Sequence, residues 1–147
     1  MLSVAERSSP ADSDVVMSKP LILVVEDNAV LQKLLRLMST RCGVEADVVS
    51  NGSQALVALG TGKPYQLVLM DWRMPDMDGL ECTKRIREKE RLNGGHLPII
   101  AMTANADDQD RETCFSVGMD DYLAKPFSNE QLHSAIVRWI EPQPMAM

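Results

Sequence analysis

Leu21-Ile22-Leu23-Val24-Val25-Glu26-Asp27 runs through five apolar residues in succession and then two acids. A run with no polar alternation suits a strand covered on both faces, because successive side chains point to opposite sides of a sheet. Four more short runs read the same way: Ala46–Val49, Leu67–Met70, Ile99–Met102 and Tyr122–Ala124. Between the first two, Leu31, Leu34, Leu35, Met38 and Cys42 recur at three- and four-residue spacing, which is one stripe on a helix. Leu132, Ile136 and Ile140 mark a last helix. Asp78-x-x-Glu81 and Ser128-x-x-Gln131 read as capping boxes that start helices near 79 and 129. Glycines 43, 52, 60, 62, 79 and 118 fall near the breaks between elements. The sum is five β-α units in strict alternation. Short right-handed crossovers then imply an α/β fold of three layers, a parallel sheet with helices on both faces.

The bulk numbers agree. A chain of 147 residues fits one domain and buries roughly 70% of its unfolded surface, so a core is available without staples. Hydrophobic content of 45% and charged content of 24% exclude disorder and fibrous classes. The net charge of −6 argues against a nucleic-acid surface. Cys42, Cys82 and Cys114 are odd in number and in no CxxC spacing. They read as free thiols in a reducing compartment, not as a disulfide framework or zinc site. No apolar run approaches the roughly 20 residues needed to span a bilayer, and no signal-peptide pattern opens the chain. The expected setting is cytoplasmic, with no membrane contact. Residues 1–19 and 142–147 read as tails or linkers around a working domain at 20–141.

The chemistry collects at one rim. In an open parallel sheet, ligands bind outside the carboxyl ends of the strands, where the strand order reverses. The first strand ends in Glu26-Asp27, the third in Asp71, the fourth in Thr103 and the fifth in Lys125. Crowded carboxylates repel unless a cation holds them, and oxygen-only ligands favour Mg²⁺, with Mn²⁺ as a substitute. A carboxylate so held can act as a nucleophile toward phosphorus. A hydroxyl and a lysine then supply the charge neutralisation on which phosphoryl transfer mostly depends.

Val24-Val25-Glu26-Asp27-Asn28, Leu69-Met70-Asp71-Trp72-Arg73-Met74-Pro75-Asp76-Met77-Asp78-Gly79, Ala101-Met102-Thr103-Ala104-Asn105 and Asp121-Tyr122-Leu123-Ala124-Lys125-Pro126-Phe127 together resemble the response-regulator receiver family, over about residues 20–140. The resemblance implies a flavodoxin-like doubly wound sheet of order 2-1-3-4-5. It assigns phosphoacceptance to Asp71, metal ligation to Asp27, Asp71 and the Trp72 backbone carbonyl, and a water-mediated metal contact to Glu26. It gives phosphate binding to Thr103, Lys125 and the Ala104 backbone, and a cis peptide before Pro126. Thr103 and Tyr122 would form the switch, with the loop from Ala104 to about Asp110 as its moving part. Arg73 and Asn105 are candidates for tuning the phosphoryl lifetime. The implied partners are a histidine kinase or histidine-phosphotransfer domain, with a downstream effector on the face of the fourth helix, fifth strand and fifth helix. The third and fourth motifs look like those of receivers attached to hybrid histidine kinases, so a stand-alone regulator and a receiver within a longer kinase both remain.

Other functions fit less well. A phosphatase of the haloacid-dehalogenase type wants Asp-x-Asp, and the second position here is Arg73, a permanent cation. Neither nucleotide-binding glycine motif is present. A receiver-like interaction module that takes no phosphate would be expected to lack an acid, the threonine or the lysine, and all are here. His96 and His133 read as surface residues, Lys84–Arg91 as a solvated helix face, and the ten methionines as core filler. The Trp72 ring either shields the site from water or offers a partner contact.

Overall fold

A computed structural model describes residues 19–74, 77–104 and 107–140. The chain alternates β1 (Leu21–Val25), α1 (Ala29–Arg41), β2 (Glu45–Val49), α2 (Gly52–Leu59), β3 (Tyr65–Asp71), α3 (Gly79–Asn93), β4 (Ile99–Thr103), α4 (Asp108–Ser116), β5 (Asp121–Ala124) and α5 (Asn129–Trp139). The strands form one sheet of order β2-β1-β3-β4-β5, and every neighbouring pair is parallel. This is the flavodoxin-like (βα)₅ arrangement. The order reverses between β1 and β3, so the acids after those strands sit at the switch point.

Strand alternation sorts the core into two layers. Ile22, Val24, Leu67, Leu69, Ile100 and Met102 pack under Leu35 and Met38 of α1 and Leu132 and Ile136 of α5. Leu23, Val25, Val68, Met70, Ile99 and Ala101 face the other way, against Ala55 of α2, Cys82 and Ile86 of α3 and Cys114 of α4. Residues adjacent in a strand thus serve opposite layers, which is why these runs show no polar alternation. All three cysteines are free, with Cys82 and Cys114 buried. Burial pushes both thiols up to about 11, so neither is a reactive thiolate at neutral pH.

Several boundaries differ from the pattern. β3 starts at Tyr65, which pairs with Leu21 across a register shift, because strand pairing needs backbone groups and not hydropathy. α4 begins at Asp108, whose preceding Asp107 accepts the Asp110 N–H as an N-cap. That shortens the expected switch loop to 104–107, of which Asn105 and Ala106 lie outside the described residues. The Ser128 capping box is complete. Asp78 caps Glu81 as expected, but the Glu81 carboxylate accepts from Arg85 one turn on. The α1 stripe is narrower than its spacing suggests, since Leu34 is 47% exposed. Lys84–Arg91 is not uniformly solvated. Arg87 is inserted at the amino end of the sheet, where it donates to Gly118 O, Leu97 O, Glu90 and Asp120. The expected tails, apart from Lys19, lie outside the described residues.

Candidate functional site

Asp71 is the last residue of β3, in the middle of the sheet, and only 6% of it is exposed. Its neighbours come from the adjacent strand ends. Glu26 and Asp27 follow β1, and one carboxylate oxygen from each lies within 4.8 Å of one from Asp71. Lys125 follows β5 and reaches across β4, placing Nζ 3.0 Å from Glu26 Oε1 and 3.2 Å from Asp71 Oδ1. Thr103 is the last residue of β4 and is buried, and its carbonyl accepts the Lys125 N–H at 2.7 Å. The Lys125–Pro126 peptide is cis.

The electrostatics are unbalanced. Of three neighbouring carboxylates, Glu26 and Asp71 share the Lys125 ammonium, and Asp27 has no part in that pairing among the described contacts. Burial and then the Glu26 charge push the Asp71 carboxyl up to about 6, and Lys125 only partly opposes them. Burial alone would lower Lys125, but its bonds to Glu26 and Asp71 outweigh that and hold it above its ordinary value. A site whose acids repel at neutral pH, with oxygens converging within a few ångström, fits a small hard cation. Asp27 is the exposed member of the set and so the edge from which such an ion would enter.

Glu26 departs from a solvent-facing rim acid. It is 1% exposed. Its Oε1 takes Lys125, and its Oε2 accepts the Asn28 N–H at 3.1 Å. The Trp72 carbonyl accepts the Gly79 N–H at 2.9 Å, so any metal contact there would use its second lone pair. Its indole is buried with Met74 in the layer shared by α2, α3 and α4, which favours shielding over a partner contact. Tyr122 is half-buried, with the Arg111 guanidinium 5.1 Å from its ring centroid. Ala104 and Arg73 are exposed at the rim.

Two residues matter more than their letters suggested. A Cβ on Gly79 would collide with the Asp71 carbonyl and crowd the Trp72 Cα at 3.2 Å. The glycine therefore lets α3 start directly against the acceptor strand. Asp-Gly after the acceptor motif was the available signal, but it reads equally as a helix break. Gln32 of α1 donates to the Glu26 carbonyl, and nothing in its spacing marked it. His96, read as a surface residue, is more than half exposed yet places Nε2 2.7 Å from Asp120. No helix among the described residues is long and apolar enough to cross a membrane.

Residues 22–137 match the family model described as "Response regulator receiver domain". Hybrid signal transduction histidine kinase I of Dictyostelium discoideum is 41% identical over 119 residues, 78% of this chain and 7% of its own length. Sensor histidine kinase GacS of Pseudomonas protegens is 39% identical over 134 residues, 90% of this chain and 14% of its own length. The chain thus spans a small part of both relatives. Among solved structures, the receiver domain of a Pseudomonas aeruginosa sensor histidine kinase superposes with a TM-score of 0.76 at 42% identity. That alignment covers 85% of this chain and 100% of the other, and the structure holds a magnesium ion in its active-site cleft. A Saccharomyces cerevisiae response-regulator receiver, co-crystallised with a histidine phosphotransfer protein, gives 0.77 at 29% identity, with coverages of 84% and 90%.

Proposed function

The chain belongs to the response-regulator receiver family, and from that premise we propose that Asp71 accepts a phosphoryl group from a phosphohistidine in a Mg²⁺-dependent reaction. One observation carries the reading: Asp71, nearly buried, is crowded by Glu26 and Asp27 and paired with Lys125. An Asp71 oxygen attacks phosphorus as the P–N bond breaks, and the departing imidazole takes a proton. Asp27, Asp71 and a main-chain carbonyl such as that of Trp72 would hold the ion, with Glu26 reaching it through water, and it would supply charge neutralisation on the phosphoryl oxygens. Lys125 and the Thr103 hydroxyl bind those oxygens from the other side, and the Ala104 N–H joins them. Little else is asked of the protein, since positioning and electrostatics dominate this chemistry.

The added charge then draws Thr103 inward, and Tyr122 follows, remodelling the face of α4, β5 and α5 for an effector. Arg73 and Asn105 set how easily water reaches the phosphoryl group. The donor is a histidine kinase or histidine-phosphotransfer domain, and its docking face is α1. Val30, Leu34 and Leu37 are exposed there by 74%, 47% and 52%. Leu34 also lines an apolar pocket of about 270 Å³ whose wall includes Glu26 and Lys125. Such a patch beside a reacting group suits a partner that must bring its histidine to Asp71. Three free thiols suit a cytoplasmic setting.

Intact mass after incubation with acetyl phosphate or phosphoramidate tests the reading. One phosphoryl group gained, requiring both Mg²⁺ and Asp71, is the expected result. No gain, repeated with a phosphorylated histidine kinase as donor, would leave a phosphate-independent interaction module.

A further inference from the structure

We propose that Gln32 is a positioning residue for the metal-binding acids, a clamp that ties the β1–α1 loop to the β2–α2 loop. The inference rests on the Mg²⁺ reading of Glu26, Asp27 and Asp71. Glu26 comes directly after the last residue of β1, and its nearly buried position requires a partner for its carbonyl. Gln32 supplies one, with Nε2 2.6 Å from Glu26 O. A carbonyl only accepts, so this contact fixes the amide with its NH₂ toward the loop. The second NH₂ proton goes to Ser50 Oγ at 3.1 Å. Ser50 is held in turn, its N–H donating to Gln54 Oε1 at 2.7 Å, and the Glu26 N–H donates to Val49 O at 3.0 Å.

The effect falls on Asp27. It is the exposed ligand, with no hydrogen bond among those described to hold its carboxylate, so its aim depends on the backbone at either side. Asn28 is pinned by accepting the Val30 and Leu31 N–H groups and by donating to Glu26 Oε2. On the amino side, Gln32 and the Glu26 N–H bond perform that task. Asp27 is therefore suspended between two anchored residues, and its carboxylate is presented to Asp71 without ordering its own side chain first. A binding group preorganised in this way loses less freedom when the ion arrives.

Gln32→Met keeps the length and removes both donors. Mn²⁺ binding, read from the loss of free-ion spin-resonance signal without phosphodonor, should weaken about fivefold, the factor one net hydrogen bond supports. Ser50→Ala should weaken it less, and the double variant should match Gln32→Met, because Ser50 acts through the Gln32 amide. Ile136→Ala removes core packing on α5, which supplies none of these hydrogen bonds; it should lower the melting temperature and leave the affinity within twofold. An unchanged affinity in Gln32→Met, or an equal loss in Ile136→Ala, overturns the clamp. Asp27→Asn separates the two levels. If it binds Mn²⁺ like the wild type, the metal site itself is wrong. If it loses the ion while Gln32→Met does not, only the clamp fails.

Discussion

The two ends of the sheet each set a half-buried cation among carboxylates, with different balance. At the amino end, the Arg87 guanidinium serves Glu90 and Asp120, and main-chain groups take up what remains. Leu97 N–H donates to Glu90, Ile99 N–H donates to Asp120, and the Leu97 and Gly118 carbonyls accept from Arg87. At the carboxyl end, Lys125 is shared by Glu26 and Asp71, with Asp27 beside them. There the protein leaves excess negative charge in place and Asp71 is pushed up to about 6. A satisfied network closes the base of the α3, β4 and β5 units, whereas an unsatisfied one is stabilised by what binds to it.

The comparison breaks most sharply at Asp71. Asp71→Asn should abolish phosphoryl gain from acetyl phosphate, read by intact mass, since no other acid of the rim ends β3. Residual gain at the wild-type rate would mean that the crowded end is not the reacting one. At the opposite end, Arg87→Ala should cost about 2–3 kcal/mol, the loss expected when half-buried charged groups give up their hydrogen bonds, and lower the melting temperature by about 5–15 °C. Its Mg²⁺ affinity should stay at the wild-type value. A small stability loss would show that Glu90 and Asp120 are solvated after all.

A pH titration sharpens the contrast. Asp71 titrates at about 6 when folded against 3.8 for the free group. The folded state therefore binds more protons between these values, and stability from this group is greatest below about pH 4 and falls as pH rises through 6. Asp47 slopes the opposite way, because Tyr65 and Lys63 hold its carboxyl below the ordinary range. Wild type minus Asp71→Asn isolates the site. In denaturant melts without metal, the difference should be on the order of 2 kcal/mol between pH 4 and 7, and saturating Mg²⁺ should reduce it. A flat difference would mean that the acids are not under strain.

The smallest effect lies at the carboxyl end but outside the cluster of acids. Ser128→Ala opens the α5 capping box at about 1 kcal/mol, seen as a fall of a few degrees in melting temperature. Phosphoryl gain should be unaffected, which distinguishes helix stability from site electrostatics.

Strand alternation, the three-layer fold and the gathering of Glu26, Asp27, Asp71, Thr103 and Lys125 on one rim were legible because each follows from local pattern. An unbroken apolar run implies two covered faces, and parallel strands put their carboxyl ends together. Periodicity carried less about charge. Arg87 sits among acids and bases on α3 as any solvated residue would, and partners such as Asp120, 33 residues away, make it a half-buried hub. Leu34 has the spacing of a core residue and lies in the open.

The sequence by itself determined which strands form and which polar residues end them on one rim. Tertiary structure alone decided that Glu26 is enclosed, that Gln32 grips its carbonyl across to Ser50, and that Gly79 lets α3 close on Asp71. The physical reason is that desolvation and hydrogen-bond satisfaction belong to convergent elements. Glu26 and Lys125 are 99 positions apart, and no window along the chain contains both.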